Sequence, residues 1–202
     1  VMSEARALIW VQHLLGIGHL RRAAALARAL AEREFNVLLV SGGMPLHGLD
    51  LGAAKFEQLP PLRATDATFS ATVDANGQAP DSVFRATRRD RLISLYRAHR
   101  PQVIITEMYP FGRRQFAAEL LPLFEVAHHT RPKPAIFASV RDILTERSDP
   151  HRNSEMARLA LRWYRAVLVH GDPELIPFEA SFPEAVRISH LIRYTGYIGA
   201  VG

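Results

Sequence analysis

The 202-residue chain contains no cysteine, and this one absence removes disulfides, thiolate nucleophiles and cysteine-based zinc sites from consideration. It agrees with a reducing cytoplasm. Long apolar runs are also lacking. Those around Ala7–Val11, Val37–Val40, Val103–Ile105 and Ala135–Val140 fall far short of a membrane span. The first of them has neither a basic leader nor a small-residue cleavage site, so no secretory signal is read there. Aromatic residues make up only 8% of the chain. The arginines are spread over several helical patterns without interleaved aromatic platforms, which disfavours a nucleic-acid partner.

Several chemical signatures are absent too. There is no G-x-x-x-x-G-K-[ST] phosphate loop, no H-E-x-x-H metal motif and no G-x-S-x-G nucleophile elbow. The dinucleotide fingerprint is only partial. Gly16-Ile17-Gly18-His19-Leu20-Arg21 carries arginine where the third glycine should stand, and the next strand pattern ends in Ser41-Gly42-Gly43 with no acidic residue for a ribose. A nicotinamide or flavin enzyme is therefore disfavoured. The 25 basic residues outnumber the 20 acidic ones, giving a formal charge of +5. That excess fits phosphate-bearing ligands or an anionic membrane face, and it fits a coding bias toward arginine equally well.

What the chain does have is a 48% hydrophobic content, enough for one domain with a substantial core. Short apolar runs alternate with longer helical patterns. The periodicity predicts strands at 6–14, 36–41, 55–59, 102–107, 134–140, 166–170 and 192–195. It predicts helices at 19–33, 81–99, 112–128, 151–164 and 173–180. Strands apolar on both faces with helices between them imply a doubly wound α/β domain, with a mainly parallel sheet covered on both sides. Residues 62–80 are polar and aperiodic, a connection long enough to be either mobile or functional. The final stretch, Tyr194 to Gly202, reads as a last strand running into a linker.

In such a sheet, ligands bind beyond the carboxyl ends of the strands. The turn holding Gly16 and Gly18 ends the first strand and opens a helix, so its backbone amides can hold an anionic or polyhydroxylated ligand. The two glycines are read as allowing conformations and close approaches that a Cβ would block. His19 is either a base or orienting donor for a hydroxyl held there, or a helix-start residue bonded locally. His13 is either structural or part of the same cleft. Glu107 ends an apolar strand, where a carboxylate needs a partner. It can meet a sugar hydroxyl, orient a histidine, or pair with Arg113 or Arg114. Tyr109 belongs to the same strand end. Arg141 and Asp142 suggest a mutual or neighbouring salt bridge, with ligand contact as the other reading. His170 and Asp172 are read as stabilising the turn after their strand.

The segment VQHLLGIGHLRRAAALARAL followed by VLLVSGG resembles the opening of GT-B glycosyltransferases of the MurG-like type, especially the bacterial predicted glycosyltransferase group. ITEMYPFGRRQF, ending at Phe116, FASVRDIL at 137–144 and VLVHGDPELIPFEASFP at 167–183 extend the likeness over most of the chain. The resemblance implies a Rossmann-like, acceptor-side half over residues 1–195. Residues 196–202 would begin the linker to a donor-binding half outside these residues. It implies transfer of a sugar from a nucleotide-diphosphate donor to an acceptor hydroxyl, without a bound cofactor or metal. His19 and Glu107 would be the catalytic pair, and Gly16, Gly18, His13, Tyr109, Arg113, Arg114 and Arg141 would hold substrate. The implied partners are a small-molecule or lipid-linked acceptor and the second half of the enzyme. The implied location is the cytoplasm, with contact at the inner membrane face left open. The other reading is a noncatalytic module that binds a nucleotide or phosphorylated metabolite at the glycine turn.

Overall fold

Alternate residues of the first strand, β1 (Arg6–Val11), enter two different cores. Ala7, Ile9 and Val11 pack with Leu20, Ala23, Ala24 and Ala27 of the first helix, α1 (Gly18–Ala31). Leu8 and Trp10 join the larger core on the opposite face. This period of two is what a strand buried on both sides requires. The structure is a computed structural model and describes residues 4–66, 69, 71–144 and 149–198.

The remaining strands are β2 (Asn36–Ser41), β3 (Lys55–Gln58), β4 (Arg63–Ala64), β5 (Thr72–Val73), β6 (Val103–Glu107), β7 (Ala135–Arg141), β8 (Ala166–His170) and β9 (Ile192–Tyr194). Seven of them form one sheet in the order β3-β2-β1-β6-β7-β8-β9, and every neighbouring pair is parallel. Three further helices, α2 (Ser82–His99), α3 (Ala117–His129) and α4 (Pro150–Trp163), supply Leu92, Leu120 and Met156 to the larger core. The architecture is therefore the doubly wound, Rossmann-like α/β sheet, with α1 on one face and the other helices on the opposite one.

The strand order turns back between β1 and β6. From β1 the chain winds outward through α1 to β2, whereas from β6 it winds the other way through α3 to β7. The carboxyl ends of β1 and β6 thus flank a topological switch point, where connections diverge and leave a crevice.

The structure departs from the sequence reading in two places. The connection at 62–80 carries a short ladder that periodicity did not predict, β4 pairing antiparallel with β5, Arg63 opposite Val73 and Ala64 opposite Thr72; residues 67, 68 and 70 of it lie outside the described set. No α-helix forms at 173–180. Short 3-10 turns at Phe178–Ala180 and Pro183–Leu191 take its place. Pro177 lacks an amide donor in the middle of the expected helix, and Phe178 and Phe182 instead anchor the segment by packing on Phe111.

Candidate functional site

His19 lies in the first turn of α1, and Glu107 is the last residue of β6, so the switch point brings them together from sequence positions 88 apart. Nδ1 of His19 stands 3.0 Å from Oε1 of Glu107. Arg22, one helical turn after His19 and so on the same side of α1, donates from Nε to the same oxygen at 3.0 Å and also through Nη2. Glu107 is 1% exposed, whereas the His19 side chain keeps 23% of its surface open. Burial alone would raise the carboxyl pKa of Glu107. The His19 hydrogen bond, the Arg22 charge and the Ser139 hydroxyl outweigh it and hold Glu107 below the usual carboxylate value.

The second carboxylate oxygen continues the network inward. Ser139 on β7, the register neighbour of Glu107, donates its hydroxyl to Oε2 at 2.5 Å. Its oxygen also meets Nε2 of His170, at the end of β8, at 2.9 Å. Nδ1 of His170 in turn meets Oγ1 of Thr195 at 2.7 Å. Burial pushes the His170 pKa down to about 4, so the ring is neutral at physiological pH. His170 is thus tied to Ser139 and Thr195, and its role goes beyond the turn that follows its strand.

Proton counting fixes the roles along this path. A neutral imidazole carries one N–H. Ser139 gives its only proton to the carboxylate, so His170 must donate from Nε2 to Ser139 and accept from Thr195 at Nδ1. At the far end, a bare Nδ1 on His19 would set a lone pair against a carboxylate at 3.0 Å. Arg22 Nη2, which can only donate, also stands 3.2 Å from Nδ1, but it already donates to Glu107 Oε1 and the carboxylate is the nearer group, so we assign the proton to Nδ1, which donates it to Glu107. Nε2 of His19 is left as the ring's free acceptor, with no hydrogen bond among the described residues.

The glycine turn differs from the sequence expectation. Neither Gly16 nor Gly18 has a positive φ, and no atom stands within 4 Å of where a Cβ would be. The protein's own packing does not require glycine at either position. Glycine is required instead at Gly43, where a Cβ would fall 2.3 Å from the His13 ring and 2.6 Å from the His13 carbonyl oxygen, and likewise at Gly42 and Gly171. Unlike α2 and α4, which Asp81 and Asp149 cap, α1 begins at Ile17 without a side-chain cap, so its first amides lie at the open turn. His13 follows β1 and is 5% exposed. Its Nδ1 is buried without a hydrogen-bond partner, and burial lowers its pKa. The ring borders a cleft of about 220 Å³ whose walls include Leu14, Ile17, Met44, Leu46 and Arg63.

Other expected site residues fall elsewhere. Tyr109 is 1% exposed, and its ring packs against Phe124 in the larger core. It is a core residue with almost no open surface, and burial raises its hydroxyl pKa to about 12. Arg113 does not pair with Glu107. Its Nε donates to the Gln12 carbonyl at 2.8 Å, and its guanidinium lies over the Phe69 ring. Arg114 is exposed and makes no bond to Glu107. Arg141 is also exposed, and no ion pair forms between it and Asp142, whose carboxylate accepts from the Ile143 amide. Arg22, not singled out in the sequence, is 18% exposed and bonded to Glu107. Its spacing of three from His19 was the available signal. Among the described residues no three histidine, aspartate or glutamate side chains gather as metal ligands, and no helix is long and apolar enough to cross a membrane.

No family model and no curated protein sequence matches the chain. Solved structures do. Phytolacca americana UGT2, solved with UDP-2fluoro-glucose and pterostilbene, matches at a TM-score of 0.55 and 13% identity, over 100% of this chain and 56% of that one. Acinetobacter baumannii MurG matches at 0.51 and 8% identity, over 98% and 47%. UDP-N-acetylglucosamine 2-epimerase from Rickettsia bellii matches at 0.56 and 8% identity, over 96% and 45%. The likeness is one of fold. The chain spans about half the length of these proteins, which are GT-B glycosyltransferases and an epimerase, and MurG is not singled out among them.

Proposed function

We propose that this chain is the acceptor-side half of a GT-B glycosyltransferase and that His19 is the base that takes the proton of the acceptor hydroxyl. The observation carrying the reading is the His19–Glu107 contact of 3.0 Å at the switch point, on the carboxyl rim of the sheet. Glu107 is buried, ionised and bonded to Nδ1, an arrangement that leaves Nε2 free to accept a proton at the rim. In the step proposed, the acceptor oxygen bonds to the anomeric carbon of a nucleotide-diphosphate sugar while its proton passes to Nε2. The bond from that carbon to the diphosphate oxygen breaks, and its electron pair leaves with the nucleoside diphosphate.

The cleft beside His13 is the proposed cradle for the acceptor, a small-molecule or lipid-linked alcohol with an apolar body, and the open turn at Gly16 and Gly18 would admit its hydroxyl. A glycosyltransferase neighbour solved with both a donor analogue and pterostilbene is in keeping with this division of labour. Residues 1–195 form the half-enzyme in this reading. The linker assigned to 196–202 lies mostly outside the described residues. The uncapped amides of α1 favour a second reading, a noncatalytic module binding a nucleotide or phosphorylated metabolite.

Amide spectra of the 202-residue chain, titrated separately with nucleotide-diphosphate sugars and with apolar alcohols, decide between the two. The transferase reading expects the alcohols to shift Gly16, Gly18 and His19 and the nucleotide sugars to bind weakly or not at all. Tight nucleotide binding at the same amides would favour the module.

A further inference from the structure

Glu107 is held from two sides, and only one of them faces the rim. His19 and Arg22 bond to Oε1, while Ser139 bonds to Oε2 and is itself bonded by His170. Ser139 is 1% exposed and His170 5%, so these two links are closed to solvent, and the chain reaches the surface at Thr195, which is exposed. We infer that Ser139 and His170 are positioning residues, forming with Thr195 a one-way chain of hydrogen bonds that fixes the Glu107 carboxylate and so keeps the His19 proton on Nδ1. This deepens the proposed base role of His19 and rests on it.

The direction of the chain follows from its membership. Thr195 lies 3.2 Å from the Gly196 carbonyl and 3.4 Å from that of Val169, but its shortest contact, 2.7 Å, is to His170, and with Thr195 donating there, His170 to Ser139 and Ser139 to Glu107, every proton points toward the carboxylate. A carboxylate bonded on one oxygen only can turn about its terminal bond. One bonded on both is locked, and each donor in a chain strengthens the next. A neutral, buried His170 suits this task because the chain needs one ring nitrogen to donate and the other to accept. The charged or titratable groups facing His19 are Glu107 from β6, Arg22 from α1 and His13 from the turn after β1, with Arg113 beyond His13. Those facing His170 are Glu107 and Arg22. None of them occupies the path between Ser139 and His170.

Nitrogen-15 spectra of the histidine rings in the 202-residue chain at neutral pH test the inference. In the wild type the proton should sit on Nδ1 of His19 and on Nε2 of His170. Ser139→Ala, which frees the carboxylate to turn, should shift the His19 tautomer ratio toward the Nε2–H form by up to about tenfold, the effect of a whole lost hydrogen bond to a charged group. His170→Leu should shift it in the same sense but less. His170→Gln, whose amide N–H can replace Nε2–H, should restore the wild-type ratio. If Ser139→Ala does not fold, Ser139→Cys, a weaker donor of nearly the same shape, reads the same ratio. An unchanged His19 ratio in folded Ser139 and His170 variants overturns the inference, as does a wild-type His170 protonated at Nδ1. Glu107→Gln separates the two levels. If it alone moves the ratio, the His19–Glu107 pair stands and the inner chain falls. If it too leaves His19 unmoved, the proposed base arrangement itself fails.

Discussion

Among the described residues, two arginine–glutamate pairs have a buried carboxylate, and they differ in what they leave unsatisfied. Arg88 of α2 and Glu119 of α3 are 1% and 6% exposed and meet through two bonds of 3.0 Å. The remaining Arg88 donors go to the Gly42 and Pro60 carbonyls and to Gln12 Oε1, so all five guanidinium N–H groups are used. Gln12 passes the connection on to the His13 and Leu62 carbonyls. This hub ties together the loops after β1, β2 and β3 and has nothing left to offer a ligand. Arg22 and Glu107 form the second pair, with an imidazole inserted beside them that is 23% exposed. A closed pair organises the loops, and an open pair presents chemistry at the crevice those loops border.

If that contrast is right, the closed pair matters more for stability. Arg88→Leu strands a buried carboxylate and should cost about 3–5 kcal/mol, read as a lowered urea midpoint. Arg22→Leu leaves Glu107 with His19 and Ser139 and should cost about 2 kcal/mol or less. Equal losses would break the distinction.

The next effect is one of pH. The unfolded chain protonates His170 near the ordinary histidine value of 6.5, whereas the folded chain holds it neutral down to about 4. Between those values the unfolded state binds more protons, so stability is full above pH 6.5 and falls by about 3 kcal/mol as the pH drops to 4. Glu107, held below its ordinary value, adds a loss in the same sense that begins near pH 4.5 and continues at lower pH. Urea titrations of the wild type and His170→Gln across this range should differ in slope, and parallel curves would remove His170 from the account.

Smaller effects separate the glycines. Gly43→Ala forces a Cβ against the His13 ring and backbone and should cost about 1–3 kcal/mol. Gly16→Ala and Gly18→Ala meet open space and should change stability by no more than about 0.5 kcal/mol. A large loss at Gly18 would mean that the turn is shaped by internal packing.

The fold was legible because its signals are local. β2 and β8 fall at the expected 36–41 and 166–170, and α2 begins one residue inside the expected 81–99. The expected helix at 173–180 misled because Pro177 breaks it and because the phenylalanines there serve a distant partner, Phe111. The pairing of His19 with Glu107 was one of several readings that the sequence allowed. Choosing among them required the turn-back in strand order, which no local pattern encodes. Ser139 and His170 were visible only as polar ends of apolar strands. Their bond depends on the relative register of β6, β7 and β8. Arg88 and Glu119 had no signal at all, since charged residues on helices read as solvated faces.

The central claim is that His19 takes a proton during transfer, and turnover by the protein as a whole tests it most directly. With donor sugars and apolar alcohols supplied, His19→Ala should cut the rate by about a hundred- to ten-thousand-fold while leaving the urea midpoint close to that of the wild type. A folded His19→Ala protein that transfers sugar at the wild-type rate would contradict the account.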